Sequence, residues 1–335
     1  MEDAIKIHDY VLDAPLTTNN SGFSRWGFGE KDGKKYFIKE FLSPVFPEDT
    51  SIFTEKQLKS KLKGCKIFVD DKTEIYDRLN RSSDGNAILV DEFFRYGSKY
   101  YVAMKKVHAI DVMPDSDFWD MYNRMICCRT LVHSVYCLHR EGVVHADLKW
   151  TNILFSQSSA RTNLVAKLID FDNSFCIEKP PRNYATFNVD QVYCAPETFQ
   201  FLNEEEVTLD DKIDVYALGI LIHQIMCGCL PDFDSKYHYV YEAQLDDSDV
   251  TVSREIWPSM QLLIMDMLAK DPKERITSEE AMRRIQLEFK KISVEEDIED
   301  DIEDVIDVGG IDNVIPESNE EMEMVDDFFG VAGDL

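Results

Sequence analysis

Over the first forty residues apolar and polar positions alternate in short runs between turn residues, ending in Lys34-Lys35-Tyr36-Phe37-Ile38-Lys39-Glu40. A period of two predicts strands, and it places Lys39 on one face with Phe37. A link of unusual length follows, from Phe41 to Thr73, with Pro44 and Pro47 near its start. The spacing of Phe68, Ile75, Tyr76 and Leu79 then predicts an amphipathic helix. Residues 87–90 and 100–104 read as two further strands joined by a Tyr96-Gly97-Ser98 turn. Between 118 and 140, Met121, Met125, Cys128, Val132, Val135, Tyr136 and Leu138 fall close to a helical period, closed by Gly142 just past the end. The apolar run 213–230 is interrupted by Asp214, His223 and Gln224, which argues for a buried helix rather than a membrane span. A last helix is expected over 278–291, with Ser278 as N-cap, Glu279 and Glu280 in its first turn and Lys290-Lys291 at its end.

Length and charge change this picture mainly at the C-terminus. A chain of 335 residues is expected to form two domains, or one two-lobed domain with appendages. Its net charge of −28 is unevenly placed: residues 295–335 hold 17 acidic side chains and no Lys or Arg, leaving 47 acidic against 36 basic side chains before them. Nucleic acid is therefore not an expected partner, and neither is a membrane. The acidic segment reads as a solvated tail, or as a docking segment whose Phe328-Phe329 pair anchors in a basic partner. Glu2, Asp3, Lys6 and Asp9 leave no apolar opening for a secretory signal, so a cytoplasmic location is expected. Eight cysteines, at 65, 127, 128, 137, 176, 194, 227 and 229, show no C-x-x-C pair and read as reduced core thiols.

The chemistry is concentrated in His145-Ala146-Asp147-Leu148-Lys149-Trp150-Thr151-Asn152, held between the apolar pairs Val143-Val144 and Ile153-Leu154. In such a loop an aspartate can accept the proton of an attacking hydroxyl. A lysine two residues on can offset charge on a moving phosphoryl group, and an asparagine oxygen can ligate Mg²⁺. Eighteen residues past Asn152, Leu168-Ile169-Asp170-Phe171-Asp172 ends an apolar strand in two carboxylates, and a hard cation takes such oxygens. Together these residues resemble the protein-kinase signatures H-R-D-L-x-x-x-N and D-F-G, with Ala146 in place of Arg and Asp172 in place of Gly. Cys194-Ala195-Pro196-Glu197 is similar to the family's A-P-E, and Asp214-Val215-Tyr216-Ala217-Leu218-Gly219 resembles its D-V-W-S-x-G. Residues 268–277, with Arg275, are similar to the end of its large lobe.

The resemblance covers about residues 10–291. It implies an α+β, bilobal protein-kinase-like fold: an antiparallel-sheet N-lobe (about 10–106) carrying the helix known in the family as αC, a larger and mainly helical C-lobe (about 107–291), and the acidic tail 292–335 outside it. ATP with Mg²⁺, or Mn²⁺, would be the cofactors and a protein the substrate. Asp147 would be the base, Lys149 the neutraliser of the moving phosphoryl group, Asn152 and Asp170 the metal ligands, and Lys39 the ligand of the phosphates. Glu74 would pair with Lys39, with Asp71 as the alternative; Met104 would be the gatekeeper, with Lys105, Lys106 and Val107 as the hinge. Lys149 at its place resembles Ser/Thr rather than Tyr specificity. Asp214 is expected to accept backbone hydrogen bonds from the catalytic loop, and Arg275 to pair with Glu197.

The departures are as informative as the matches. Counting back from Lys39 lands on Thr17-Thr18-Asn19-Asn20-Ser21-Gly22, where Gly22 alone survives of the family's three phosphate-loop glycines. Residues 173–194 read as an exposed activation loop with Ser174, Tyr184 and Thr186 as phosphosites. The Arg that would clamp such a phosphate is Ala146, so activity independent of activation-loop phosphorylation is expected. Val189-Asp190 stands where the family has Gly-Thr, altering the contact to the catalytic Asp. Two other readings stay open: a pseudokinase that uses the fold for interaction, and a small-molecule phosphotransferase of the aminoglycoside-kinase type.

Overall fold

The computed structural model describes residues 5–19, 24–82, 87–110, 112, 119–157, 164–184 and 187–295. The chain divides into two compact units, residues up to Asn80 with Ile88–His108, and Arg81–Ala87 with the described chain from Ala109 onward.

The first unit is built on one antiparallel sheet. Its strands are β1 (Lys6–Ile7), β2 (Tyr10–Leu12), β3 (Ser24–Lys31), β4 (Lys34–Phe41), β5 (Glu92–Tyr96) and β6 (Lys99–Lys105), in the order β1-β2-β3-β4-β6-β5. Asp32 and Gly33 link β3 to β4 with φ of 53° and 74°, the left-handed pair that a tight hairpin turn requires. One face buries Tyr10, Leu12, Ile38, Tyr101 and Ala103 in a shared core. On the other face Phe41 and Phe93 meet Phe68 of α1 (Glu55–Arg81), with ring centroids 5.2 and 6.0 Å apart.

Two expectations are corrected here. The strand before the Gly97 turn is 92–96, not 87–90: Phe93 and Phe94 point to opposite faces and each finds an aromatic layer there, whereas the first four residues offer no such anchors. The long link is also shorter than it reads, because α1 runs for 27 residues and absorbs 55–67. Its start is fixed by a reciprocal cap, in which Thr54 Oγ1 accepts from the Gln57 N–H at 3.3 Å while Gln57 Oε1 accepts from the Thr54 N–H at 3.0 Å. The first three turns are almost wholly exposed, so no apolar period marked them in the sequence.

The second unit is mainly helical. α2 (Met121–Arg140) is capped by Asp120, whose carboxylate accepts from the Asn123 N–H, so the helix opens at the first residue of its apolar pattern, three residues after the expected start at about 118. Beyond it β7 (Val143–Val144) pairs with β10 (Phe175–Cys176), and β8 (Ile153–Gln157) forms a hairpin with β9 (Leu164–Leu168). Then come α3 (Pro196–Leu202), α4 (Lys212–Cys227), β11 (Asp232–Phe233), α5 (Val240–Leu245), β12 (Val250–Thr251), α6 (Pro258–Met267) and α7 (Ser278–Glu295). α4 is buried along nearly its whole length. A Cβ on Gly219 would meet Met267 Cβ at 3.0 Å and Leu268 Cγ at 3.1 Å, so the glycine sets how closely α4 approaches the end of α6. Thr277 rather than Ser278 caps α7, accepting from the Glu280 N–H; the Ser278 hydroxyl instead meets His139 Nδ1 at 2.9 Å. Among the described residues no helix is long and apolar enough to cross a membrane.

Candidate functional site

The loop 145–152 is shaped from below by one buried carboxylate. Asp214, in the first turn of α4 and 1 % exposed, accepts from the His145 N–H at 2.6 Å and the Ala146 N–H at 2.8 Å. These bonds hold Ala146 at φ 64°, a left-handed backbone that costs an L-residue about 1–2 kcal/mol. His145 is fully buried and ties the loop to the strand end: Asp147 N–H donates to its Nδ1 at 3.3 Å, which makes Nε2 the protonated nitrogen, and Nε2–H donates to the Ile169 carbonyl at 3.0 Å. The expected bonds from the loop to Asp214 are therefore present.

Asp147 stands at the exit of this turn. Its Oδ2 takes Lys149 Nζ at 3.0 Å and Asn152 Nδ2 at 3.0 Å, while Asn152 Nδ2 also donates to the Asp147 carbonyl at 2.8 Å. Burial raises the Asp147 carboxyl above the ordinary Asp range, with the Lys149 charge and hydrogen bond opposing it and the Asp170 charge adding to it. A base that is partly desolvated yet held in hydrogen bonds is suited to take a hydroxyl proton.

The β8–β9 hairpin explains the interval between Asn152 and Asp170. Ile153 lies opposite Leu168, so the residues flanking the hairpin's open end come together, and Ile169 N–H donates to the Asn152 carbonyl at 3.0 Å. Asp170 follows at φ 63°, its Oδ1 accepting from the Asp172 N–H at 3.3 Å. With its amide nitrogen turned to Asp147, Asn152 keeps its amide oxygen as a candidate ligand, and Asp170 adds a carboxylate. That set of hard oxygens suits Mg²⁺ and not a thiophilic metal.

Around this loop two readings change. Ser174 is 6 % exposed and its hydroxyl donates to the His145 carbonyl, so it is a structural residue and not an accessible phosphosite; Tyr184 is exposed, and Thr186 lies outside the described residues. Only part of the segment 173–194 is a surface loop, since Phe175, Cys176, Phe187, Tyr193 and Cys194 are buried. Asp190 caps a 3₁₀ turn, Gln191–Tyr193, accepting from the Val192 N–H at 2.9 Å. Asp147, Leu148, Asp190, Tyr193, Thr198 and Asp214 line a cavity of about 20 Å³, room for one water. Further on, Arg275 and Glu197 pair as expected, both buried, at 2.5 and 3.0 Å.

In the first unit Lys39 is 7 % exposed on β4, between Trp26 of β3 and Val102 of β6. Its face also carries Phe28, Phe37 and Met104 by register, and Met104 is buried. Trp26 stacks on Phe37 with centroids 5.8 Å apart, Phe28 meets both edge-on, and Lys106 Nζ lies 4.1 Å from the Phe28 centroid. These half-buried rings form an aromatic face beside Lys39 that no expectation covered, although aromatics at every second position of Trp26-Gly27-Phe28 are a legible signal. Glu74 receives Arg78 at 2.8 Å, one turn along α1, and Asp71 is exposed. Lys105 is still within β6, and its N–H donates to Asp91 at 3.0 Å; Lys106 N–H donates to the Lys35 carbonyl, and Val107 is half-buried. Gly22 lies outside the described residues, as does the acidic segment from 296 onward.

A family model described as the protein kinase domain matches residues 26–285. Calcium-dependent protein kinase 14 of Arabidopsis thaliana is 26 % identical over 288 residues, 84 % of this chain and 52 % of the relative. Calcium-dependent protein kinase 16 of Oryza sativa subsp. japonica is 30 % identical over 167 residues, 49 % of this chain and 29 % of the relative. A probable serine/threonine-protein kinase of Encephalitozoon cuniculi is 32 % identical over 149 residues, covering 44 % and 24 %. The chain spans about half the length, or less, of these curated relatives.

Proposed function

Because the chain belongs to the eukaryotic protein kinase superfamily, we propose that it transfers the γ-phosphate of ATP to Ser or Thr hydroxyls of a protein substrate. The observation that carries this reading is the Asp147 carboxylate, held by Lys149 and Asn152 in a loop that Asp214 fixes from beneath. Asp147 orients the substrate hydroxyl and takes its proton, and Lys149 balances charge on the moving phosphoryl group. Asn152 and Asp170 would hold Mg²⁺, which supplies charge neutralisation across the phosphates. Lys39 would bind those phosphates, and the Trp26, Phe28 and Phe37 rings would offer the base a stacking surface in place of a glycine-rich roof.

Ala146 supports activity without activation-loop phosphorylation, because no guanidinium stands beside Asp147 in sequence to receive a phosphate. The acidic segment 318–335 would dock a basic partner, and a peptide of that sequence would then compete with it. A pseudokinase is the second reading, favoured by the bulky Phe37 two residues before Lys39, where the family's V-A-I-K has Ala.

Transfer of γ-labelled phosphate from Mg·ATP to the protein itself and to a generic basic protein decides between them. Label on Ser or Thr that Asp147→Asn and Asp170→Ala both abolish is the expected result. No transfer, together with a Tm raised by ATP, moves the second reading to first place.

A further inference from the structure

The phosphotransfer reading leaves one reactive cluster unused. Six of the eight thiols are buried, but Cys227 is half-buried and Cys229 exposed, at the C-terminal end of α4. Gly228 between them adopts φ 76° as the helix cap, and this reversal leaves the two sulfurs 3.5 Å apart. His223, one turn back, brings Nδ1 to within 3.3 Å of Cys227 Sγ, so the three side chains are spaced as metal ligands could be.

The hydrogen bonds of His223 argue against a metal. Ser253 N–H donates to its Nε2 at 3.0 Å, which makes Nδ1 the protonated nitrogen, and Nδ1–H donates to the Cys229 carbonyl at 2.8 Å. Ligation through Nδ1 would expel that proton and leave either an imidazolate or an Nε2–H pointed at the Ser253 N–H. With both ring nitrogens engaged, two thiols remain, and two thiols at this separation have a chemistry of their own.

We propose that Cys227 and Cys229 form a peroxide-oxidisable dithiol, with Cys229 as the sulfur attacked and Cys227 as the resolving one. Cys229 is the sulfur that solvent reaches, whereas burial pushes the Cys227 thiol up to about 12 and keeps it protonated. In the first step Cys229 sulfur attacks one peroxide oxygen; the S–O bond forms, the O–O bond breaks, and hydroxide leaves and takes the thiol's proton as water. In the second step Cys227 sulfur attacks Cys229 sulfur; the S–S bond forms, the S–O bond breaks, and the departing hydroxide takes the Cys227 proton as a second water. Two thiols are oxidised and one peroxide is reduced to two waters. The sulfurs must close from 3.5 Å to a bond of about 2.05 Å, and the small ring across a single residue makes the product readily reducible. The pair lies at the far end of α4 from Asp214 and outside the machinery assigned above.

The test exposes the full chain to hydrogen peroxide, alkylates it and maps the peptides by mass. Expected is loss of about 2 Da within the single peptide holding both residues, reversed by dithiothreitol. Cys227→Ser should lose this product and carry Cys229 on to the sulfinic acid, while keeping the wild-type melting temperature. Sulfinic acid on Cys229 of the wild-type chain with Cys227 still alkylatable overturns the proposal, as does a wild-type oxidation pattern indistinguishable from that of Cys227→Ser.

Discussion

Arg275→Ala is the perturbation with the most completely described consequences. The guanidinium is 2 % exposed and spends every donor: Nη1 on Glu197 Oε1 and the Lys212 carbonyl, Nη2 on Glu197 Oε2 and the Ala269 carbonyl, Nε on the Ala269 carbonyl again. Its plane also lies over the Tyr216 ring, 4.9 Å from the centroid. Truncation leaves Glu197, 4 % exposed, as a buried charge without its cation, and strips donors from two carbonyls. Breaking a buried pair from one side costs about 3–5 kcal/mol, a large share of the roughly 5–15 kcal/mol that holds a domain folded. At about 2–4 °C per kcal/mol for a unit of this size, the melting temperature should fall by roughly 6–20 °C, read by calorimetry or circular dichroism.

A second variant separates the orphaned charge from lost packing. Glu197→Gln combined with Arg275→Met removes both charges at similar volume, a change that is often neutral or stabilising, so it should recover most of the loss. A Tm for Arg275→Ala within about 2 °C of wild type would refute the argument. So would a double variant as damaged as the single one, because the cost would then not come from the unpaired carboxylate.

Asp214→Ala removes the acceptor of three bonds, from the His145 and Ala146 N–H groups and from His139 Nε2, each bond to a charged group contributing about 1.5–3 kcal/mol, and frees Ala146 from its left-handed backbone; Tm and phosphotransfer should fall together, and a stable variant with full activity would sink the role given to Asp214. For Asp147, burial raises the folded-state pKa, so its contribution to stability is full below the ordinary Asp value and is lost as pH rises through the raised one. The Tm of Asp147→Asn relative to wild type should therefore become more favourable as pH rises above the ordinary Asp value of about 4, and a difference that does not change with pH counts against a desolvated carboxyl. Mg·ATP stacked over the β3–β4 face should quench Trp26 fluorescence, and Trp26→Phe should remove the change; a quench that survives places the base elsewhere.

The catalytic loop was legible because its chemistry is local. Asp147, Lys149 and Asn152 lie within six residues, and the two apolar strands that bring Asn152 to Asp170 are continuous in the sequence with the residues they position. The Asp214 and Arg275 contacts were readable through the resemblance of residues 214–219 and 268–277 to the family's large lobe, since a buried charge at either place needs a partner. By itself, then, the sequence determined the family of the fold, the composition of the loop and the acidic character of the segment beyond 294.

Tertiary structure decided what depends on register and exposure. Strand pairing moved the expected strand from 87–90 to 92–96, because only there do alternating aromatics meet layers on both faces. A side-chain cap at Thr54 extended α1 through residues without apolar periodicity. Packing buried Ser174 under His145, and the left-handed Gly228 turned two cysteines two residues apart toward one another at the surface. In each case the deciding interaction joins groups whose proximity no sequence period encodes: a cross-strand ring, a capping oxygen, a backbone reversal.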